Sequence, residues 1–318
     1  MKYLSKIILP AAMALLSVSC NHKDLVYDTQ ARSEVIVVYD WRNAPDANPA
    51  SMELRLHPNN DPENVVNFFF QNATGGPLRA PVGDYTAVTL NADLTDWAMT
   101  RNHNDADAFE LYTADAQVLE NTGIAPHGVP RAEGTETERV ALTPGMIWAD
   151  RADGIGIHNT PGVQTITFYP EELVCHYTVD ILDIKHIENL RSPGVDATIS
   201  GMAEAVRPGR KEPTEASVTM PFTLQLNSDG TAMHGEFLTF GEPKGEKKTH
   251  MITIYITLTD GTKWYANVDV SQQVYDAPDF RHVHIVIDGA DFPTPSANMG
   301  AIIPEVEEWQ SVNIDLKM

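Results

Sequence analysis

The chain has 318 residues, with 22 Lys and Arg against 44 Asp and Glu and a formal charge of −22. Such a length exceeds one comfortable core and argues for two domains, and a hydrophobic fraction of 42% excludes a disordered chain. The acidic balance excludes nucleic acid as a partner, because a polyanion is repelled and gains no counterion release, and a pair of cysteines cannot form a disulfide framework.

Residues 1–19 read as a targeting segment. Lys2 and Lys6 give a positive start, and residues 7–18 form an uncharged, mostly apolar run. That run has the length of a secretory core and is too short to cross a hydrocarbon layer of ~30 Å. It ends in Leu15-Leu16-Ser17-Val18-Ser19-Cys20, which resembles a bacterial lipobox with Ser17 where leucine is usual. A lipoprotein signal peptide over 1–19 and acylation of Cys20 are therefore expected; an ordinary signal peptide cut near a cysteine is the alternative. Acyl chains contribute ~0.8 kcal/mol per buried CH₂, so Cys20 would tether the chain to a lipid bilayer. Loss of Lys2 and Lys6 takes the formal charge to −24.

Residues 20–33 form a polar tether. No convincing helical periodicity follows; the apolar residues alternate in short runs bounded by Gly, Pro, Asn and Asp, which is the pattern of strands. A first set reads 34–41, 51–57, 64–71, 78–90 with a break near 81–84, 108–113, 139–148 and 162–169, with loops at 93–107 and 120–138. Pro170 interrupts the pattern. A second set reads 173–184, 196–206, 216–226, 231–240, 250–259, 263–270 and 281–287, with hairpin turns at Asn227-Ser228-Asp229-Gly230 and Thr259-Asp260-Gly261-Thr262. Strands at this spacing predict an all-β chain of two tandem seven-stranded β-sandwiches, over 34–169 and 170–318. Cys175 shares an alternating face with Tyr177, Val179 and Ile181, the place of a buried, inert thiol.

The C-terminal segment 309–318 also alternates, with Val312, Ile314, Leu316 and Met318 on one face. A half-buried strand at the end of a chain needs a sheet edge. It either folds back on its own domain or pairs with another subunit, so Val312, Ile314 and Leu316 are the candidate partner-strand residues.

Catalytic signatures are missing: no nucleophile elbow, P-loop, H-E-x-x-H, C-x-x-C or G-x-G-x-x-G occurs. No catalytic residue, metal site or cofactor is assigned. His282 and His284 share a strand face at a spacing that can bind metal, but no third ligand follows from sequence. Arg131 lies in the long loop before 139 and reads as an exposed tip open to proteases. Trp41, Trp97, Trp148 and Trp264 are what support a glycan platform; core or rim packing is the competing reading of Trp41 and Trp148.

Several stretches carry a family resemblance: Asn21-His22-Lys23-Asp24-Leu25, residues 38–47, 130–136, 148–154, 168–172 and Glu308-Trp309-Gln310-Ser311-Val312-Asn313-Ile314. They resemble an uncharacterised family of Bacteroidales lipoproteins with a domain of unknown function. More remotely, the plan is similar to fimbrial anchor subunits of the FimB/Mfa type in the fimbrillin superfamily. That resemblance implies transthyretin-like sandwiches, a lipid tether at Cys20 in the outer membrane, cell-surface exposure, and other fimbrial subunits as partners through strand exchange. It implies a non-enzymatic structural subunit, an anchor or accessory rather than a stalk, because no processed N-terminal strand precedes Glu34. A surface glycan-binding lipoprotein is the alternative.

Overall fold

The computed structural model describes residues 31–95, 97–119, 128–192, 194–295 and 309–312. The first strands are β1 (Arg32–Tyr39), β2 (Met52–Pro58), β3 (Val66–Phe70), β4 (Gly75–Pro81) and β5 (Gly83–Asn91). They are followed by β6 (Ala98–Arg101), β7 (Glu110–Thr113), β8 (Arg139–Val140), β9 (Trp148–Ile157), β10 (Gln164–Phe168) and β11 (Glu171–Glu172). In β1 the alternation works as the pattern demands: Val35, Val37 and Tyr39 turn inward while Glu34 and Ile36 face solvent. A three-stranded sheet, β10-β1-β4, covers one face of a five-stranded sheet, β11-β9-β5-β2-β3. Between them lie Met52, Leu54, Leu56, Phe70, Tyr85 and Phe168 with the β1 residues. Close to this core, Thr89 Oγ1 donates to the Glu53 carbonyl at 2.6 Å and lies 2.9 Å from the Tyr39 hydroxyl. Burial pushes the Tyr39 phenol well above its usual range.

The later strands are β12 (Cys175–Leu182), β13 (Gly194–Ala203), β14 (Ala205–Arg207), β15 (Glu212–Pro213), β16 (Ser217–Leu226) and β17 (Met233–Thr239). The series ends with β18 (Met251–Thr257), β19 (Lys263–Asp269), the short helix α1 (Ser271–Tyr275), β20 (His282–Asp288) and β21 (Trp309–Ser311). They build a nine-stranded sheet in the order β20-β12-β17-β16-β13-β18-β19-β21, with β8 beside β16. The ladder is narrow at β16 and β17, where only Gln225↔His234 and Leu226↔Met233 pair. The leaf β20-β12-β17 and the leaf β16-β13-β18-β19 share one apolar core, holding Tyr177, Val179, Ile199, Leu224, Ile254 and Ile285 among others. Cys175 is buried in it, and desolvation raises its thiol to about 12, so the thiolate that reactivity needs is absent near neutral pH.

The two halves are bound together. Val88, Leu90, Phe109, Leu111, Ile147 and Ala149 join the second core, and a small sheet β15-β14-β7-β6 pairs Ala205 and Val206 with Tyr112 and Leu111. The outer face of β2, which the alternation would put in water, is therefore covered: Arg55 and His57 are 6% and 4% exposed.

The all-β reading holds, with two differences. Three ladders, β6, β11 and β15, are only two to four residues long, too short to register as alternation, so the strands are more numerous than the fourteen runs read from sequence. And β9 runs where the sequence reads only up to 148, because a bulge in β9 itself, Asp153 and Gly154 opposite Thr86 with Gly154 at φ 66°, breaks its period.

The loop ahead of β8 also differs from expectation. Arg131 is pinned rather than presented: its Nη2 donates to Thr219 Oγ1 at 2.6 Å, and that hydroxyl donates to Glu138 Oε2 at 2.9 Å. Ala132 is 2% exposed, and the Tyr255 hydroxyl donates to the Pro130 carbonyl at 2.8 Å. A peptide bond held this way cannot enter a protease cleft without local unfolding.

Buried histidines make the fold acid-sensitive. Desolvation lowers the pKa of both His57 and His250 below the ordinary 6.5, so each is neutral when folded. Their stabilisation is present above pH ~6.5 and is lost as pH falls below it toward their folded values. Exposed His234 has the opposite sign: its bond to Asp180 raises its pKa, giving stabilisation below pH ~6.5 that fades as pH rises through the raised value. The urea midpoint is expected to fall between pH 7.5 and 5.5. The fall should shrink in H57Q/H250Q and steepen in H234Q; a flat profile in the parent would contradict the burial argument.

Candidate functional site

The site that strand-pairing chemistry points to is the β19 edge. The β18–β19 hairpin turns at Leu258–Thr262, where Gly261 adopts φ 84° and the Asp260 carboxylate accepts from Thr262 N and Oγ1 at 2.9 and 2.6 Å. Beyond β19, β21 adds in parallel, with Lys263↔Trp309, Trp264↔Gln310 and Tyr265↔Ser311, and Val312 N donates to the Tyr265 carbonyl at 2.9 Å. Trp309 meets the Tyr255 ring edge to face at 5.5 Å, and Tyr255 is itself 2% exposed. Val312 turns to the other face and packs against the second core.

The start of the tail thus returns to its own sheet as far as Val312. Ile314 and Leu316, the other candidate partner-strand residues, and Cys20 lie outside the described residues. No strand lies beyond β21 among the described residues, so its outer row of amides and carbonyls faces outward. The Tyr255–Trp309 anchor is not legible from sequence, since nothing in an alternating run says which aromatic a distant tail will meet.

His282 and His284 share the outer face of β20, as their spacing predicts, with His176 on β12 and His234 on β17 beside them. The rings of His176 and His282 stack at 5.0 Å. Each imidazole has a carboxylate partner: His176–Glu172 at 2.5 Å, His282–Asp279 at 2.8 Å, and His234 and His284 on the two oxygens of Asp180 at 2.7 Å each. These nitrogens contact oxygens directly at hydrogen-bond distance, and among the described residues no three donors are placed to hold a metal ion.

The tryptophans are largely committed to packing. Trp41 crosses Trp148 edge to face at 6.2 Å, and its Nε1 donates to the Ala73 carbonyl at 2.7 Å. Trp97 and Trp264 pack against the second core. What projects nearby is Tyr169, 38% exposed, with the Arg42 guanidinium 4.7 Å over its ring.

Comparison with known proteins places this geometry. Residues 19–223 match the family model described as Domain of unknown function (DUF5119). No curated protein matches the chain. Among solved structures, a candidate adhesin from Bacteroides ovatus superposes with a TM-score of 0.66 at 19% identity, over 88% of this chain and 98% of that one. The fimbrial anchor protein Mfa2 from Porphyromonas gingivalis gives 0.48 at 12% identity, over 81% and 91%. A candidate polysaccharide-binding protein from Bacteroides thetaiotaomicron gives 0.49 at 11%, over 81% and 91%.

Proposed function

The chain belongs to the DUF5119 family, and we propose that it is a non-enzymatic cell-surface lipoprotein: an anchor or accessory subunit of a fimbria. In this reading acylated Cys20 tethers it to the outer membrane, the β modules over 34–169 and 170–318 stand on the polar tether, and strand pairing joins it to other fimbrial subunits. The observation that carries the proposal is the outer edge of β21, which ends the nine-stranded sheet with no strand beyond it among the described residues. Backbone pairing along an edge, with alternate side chains in pockets, supplies tight and specific association without any catalytic group. A fold shared with the Bacteroides ovatus candidate adhesin over nearly the whole of both chains supports it.

The test is a chain ending at residue 308, compared with the parent in a Bacteroidales host. Capture of fimbrial subunits is expected to drop at least tenfold while the remaining strands stay folded. Unchanged capture with unchanged thermal stability would sink the strand role. In the same host, Cys20→Ala should move the protein from the detergent phase to the aqueous phase; continued detergent partitioning would remove the tether.

A further inference from the structure

The opposite edge of the nine-stranded sheet carries a different device. Among the described residues, strand β20 pairs on one side only, in parallel with β12. His176 N donates to the Arg281 carbonyl at 2.7 Å and Gly289 N to the Leu182 carbonyl at 3.1 Å, so odd-numbered residues of β20 address β12. The backbone groups of 282, 284, 286 and 288 therefore turn outward, toward a position where no strand lies among the described residues. Such a row is a template for another chain. At His282 a tight turn closes it, N–H to the Asp279 carbonyl at 3.0 Å.

At Val286 a side chain closes it. Gln273 on α1 accepts from Val286 N through Oε1 at 2.8 Å and donates from Nε2 to the Val286 carbonyl at 2.9 Å. One carboxamide thus makes both bonds that a residue of a neighbouring antiparallel strand would make. We propose that Gln273 is an edge plug that keeps β20 from pairing with β20 of a second copy of this chain.

The geometry names that occupant. An antiparallel β20 pair with its twofold at Val286 sets Val286 against its own copy in a hydrogen-bonded pair, the role Gln273 now fills. In that register His284 stands opposite Asp288 of the second copy, and Asp288 opposite its His284, so both flanking positions set an imidazole against a carboxylate that can accept its N–H. The plug rides on a short helix. Helix α1 has five residues and is held by buried Val274, by His250 N donating to Ser271 Oγ at 2.8 Å and by the Tyr275 hydroxyl donating to the Lys248 carbonyl. A cleft of about 1050 Å³, lined by Leu182, Thr231, Gln272, Asp276 and Asp288, opens beside it.

The experiment compares the full chain with Q273A and Q273E by light scattering after gel filtration at roughly 100 µM, the range where a weak interface is populated, and by amide exchange at Val286. The parent should be monomeric with Val286 protected. Q273A should dimerise with Val286 protected in the dimer, and Asp288→Lys on that background, which sets Lys against His284, should return it to monomer. Q273E, which keeps the acceptor and loses the donor, guards against misfolding of Q273A and should dimerise partially. Monomeric variants overturn the proposal whether Val286 exchanges fast or stays protected, and so does assembly beyond the dimer, because a twofold pair closes on itself.

Discussion

Gly209→Ala is expected to lower the stability of the whole chain by about 3 kcal/mol, in the range of an overpacked core site. A β-carbon at 209 would lie 1.9 Å from the Ala106 carbonyl oxygen and 3.4 Å from Val88 Cγ2. The first contact is backbone, so no rotamer change relieves it. Both sides are also clamped: Arg151 Nη1 donates to the Gly209 carbonyl at 3.1 Å and to Asp107 Oδ1 at 2.5 Å. The 102–109 loop of the first half and the 207–211 turn of the second must therefore separate. At ~2–4 °C per kcal/mol for a chain of this size, the melting temperature should fall by roughly 6–12 °C. Gly134→Ala is the control, with φ 83° and no atom within 4 Å of the added carbon; it should lose only the ~1 kcal/mol of a left-handed alanine. Equal losses at the two positions would show that the seam between the halves is not close-packed.

That seam is also where the sequence is hardest to read. Strand β1 is legible because one face is buried and one is wet, so Val35, Val37 and Tyr39 alternate with Glu34 and Ile36. The Asp-Gly turn at 260–261 is legible because its chemistry is local. Strand β9 is not, since Gly154 and a bulge shift its period halfway along. Arg131 is misread because a charged residue between Pro and Ala looks like a loop tip, whereas its partners Thr219 and Glu138 are set by a fold that brings positions 7 and 88 residues away beside it. The candidate site divides the same way. Val312 on an inward face follows from alternation; the edge that receives it, and Tyr255 as its aromatic neighbour, follow from long-range pairing that no local pattern encodes. Gln273 carries no sequence signal at all, because a carboxamide becomes a strand mimic only beside an unpaired edge.

The clearest consequence of the covered β2 face concerns Glu53 and Arg55. Alternation gives them a solvent face, yet Arg55 Nη1 meets Glu53 Oε1 at 3.0 Å with side-chain exposures of only 7% and 15%, and the guanidinium lies 4.2 Å over the Phe109 ring. Desolvation raises the Glu53 carboxyl pKa and lowers that of Arg55. In both groups burial works against the charged form, and their mutual attraction does not fully offset it. Arg55 Nε has no hydrogen-bond partner among the described residues. Arg55→Met alone should therefore cost ~3 kcal/mol, mostly by stranding the Glu53 charge under the loop. Adding Glu53→Leu should recover most of that, leaving the double variant within ~1 kcal/mol of the parent, since an apolar pair of similar volume removes the desolvation cost of both ions together. Urea unfolding of the four chains measures the coupling. If the double variant instead loses the sum of the single losses, the two charges are not coupled, and the burial of each has to be explained by its own packing, that of Arg55 by its fit on Phe109.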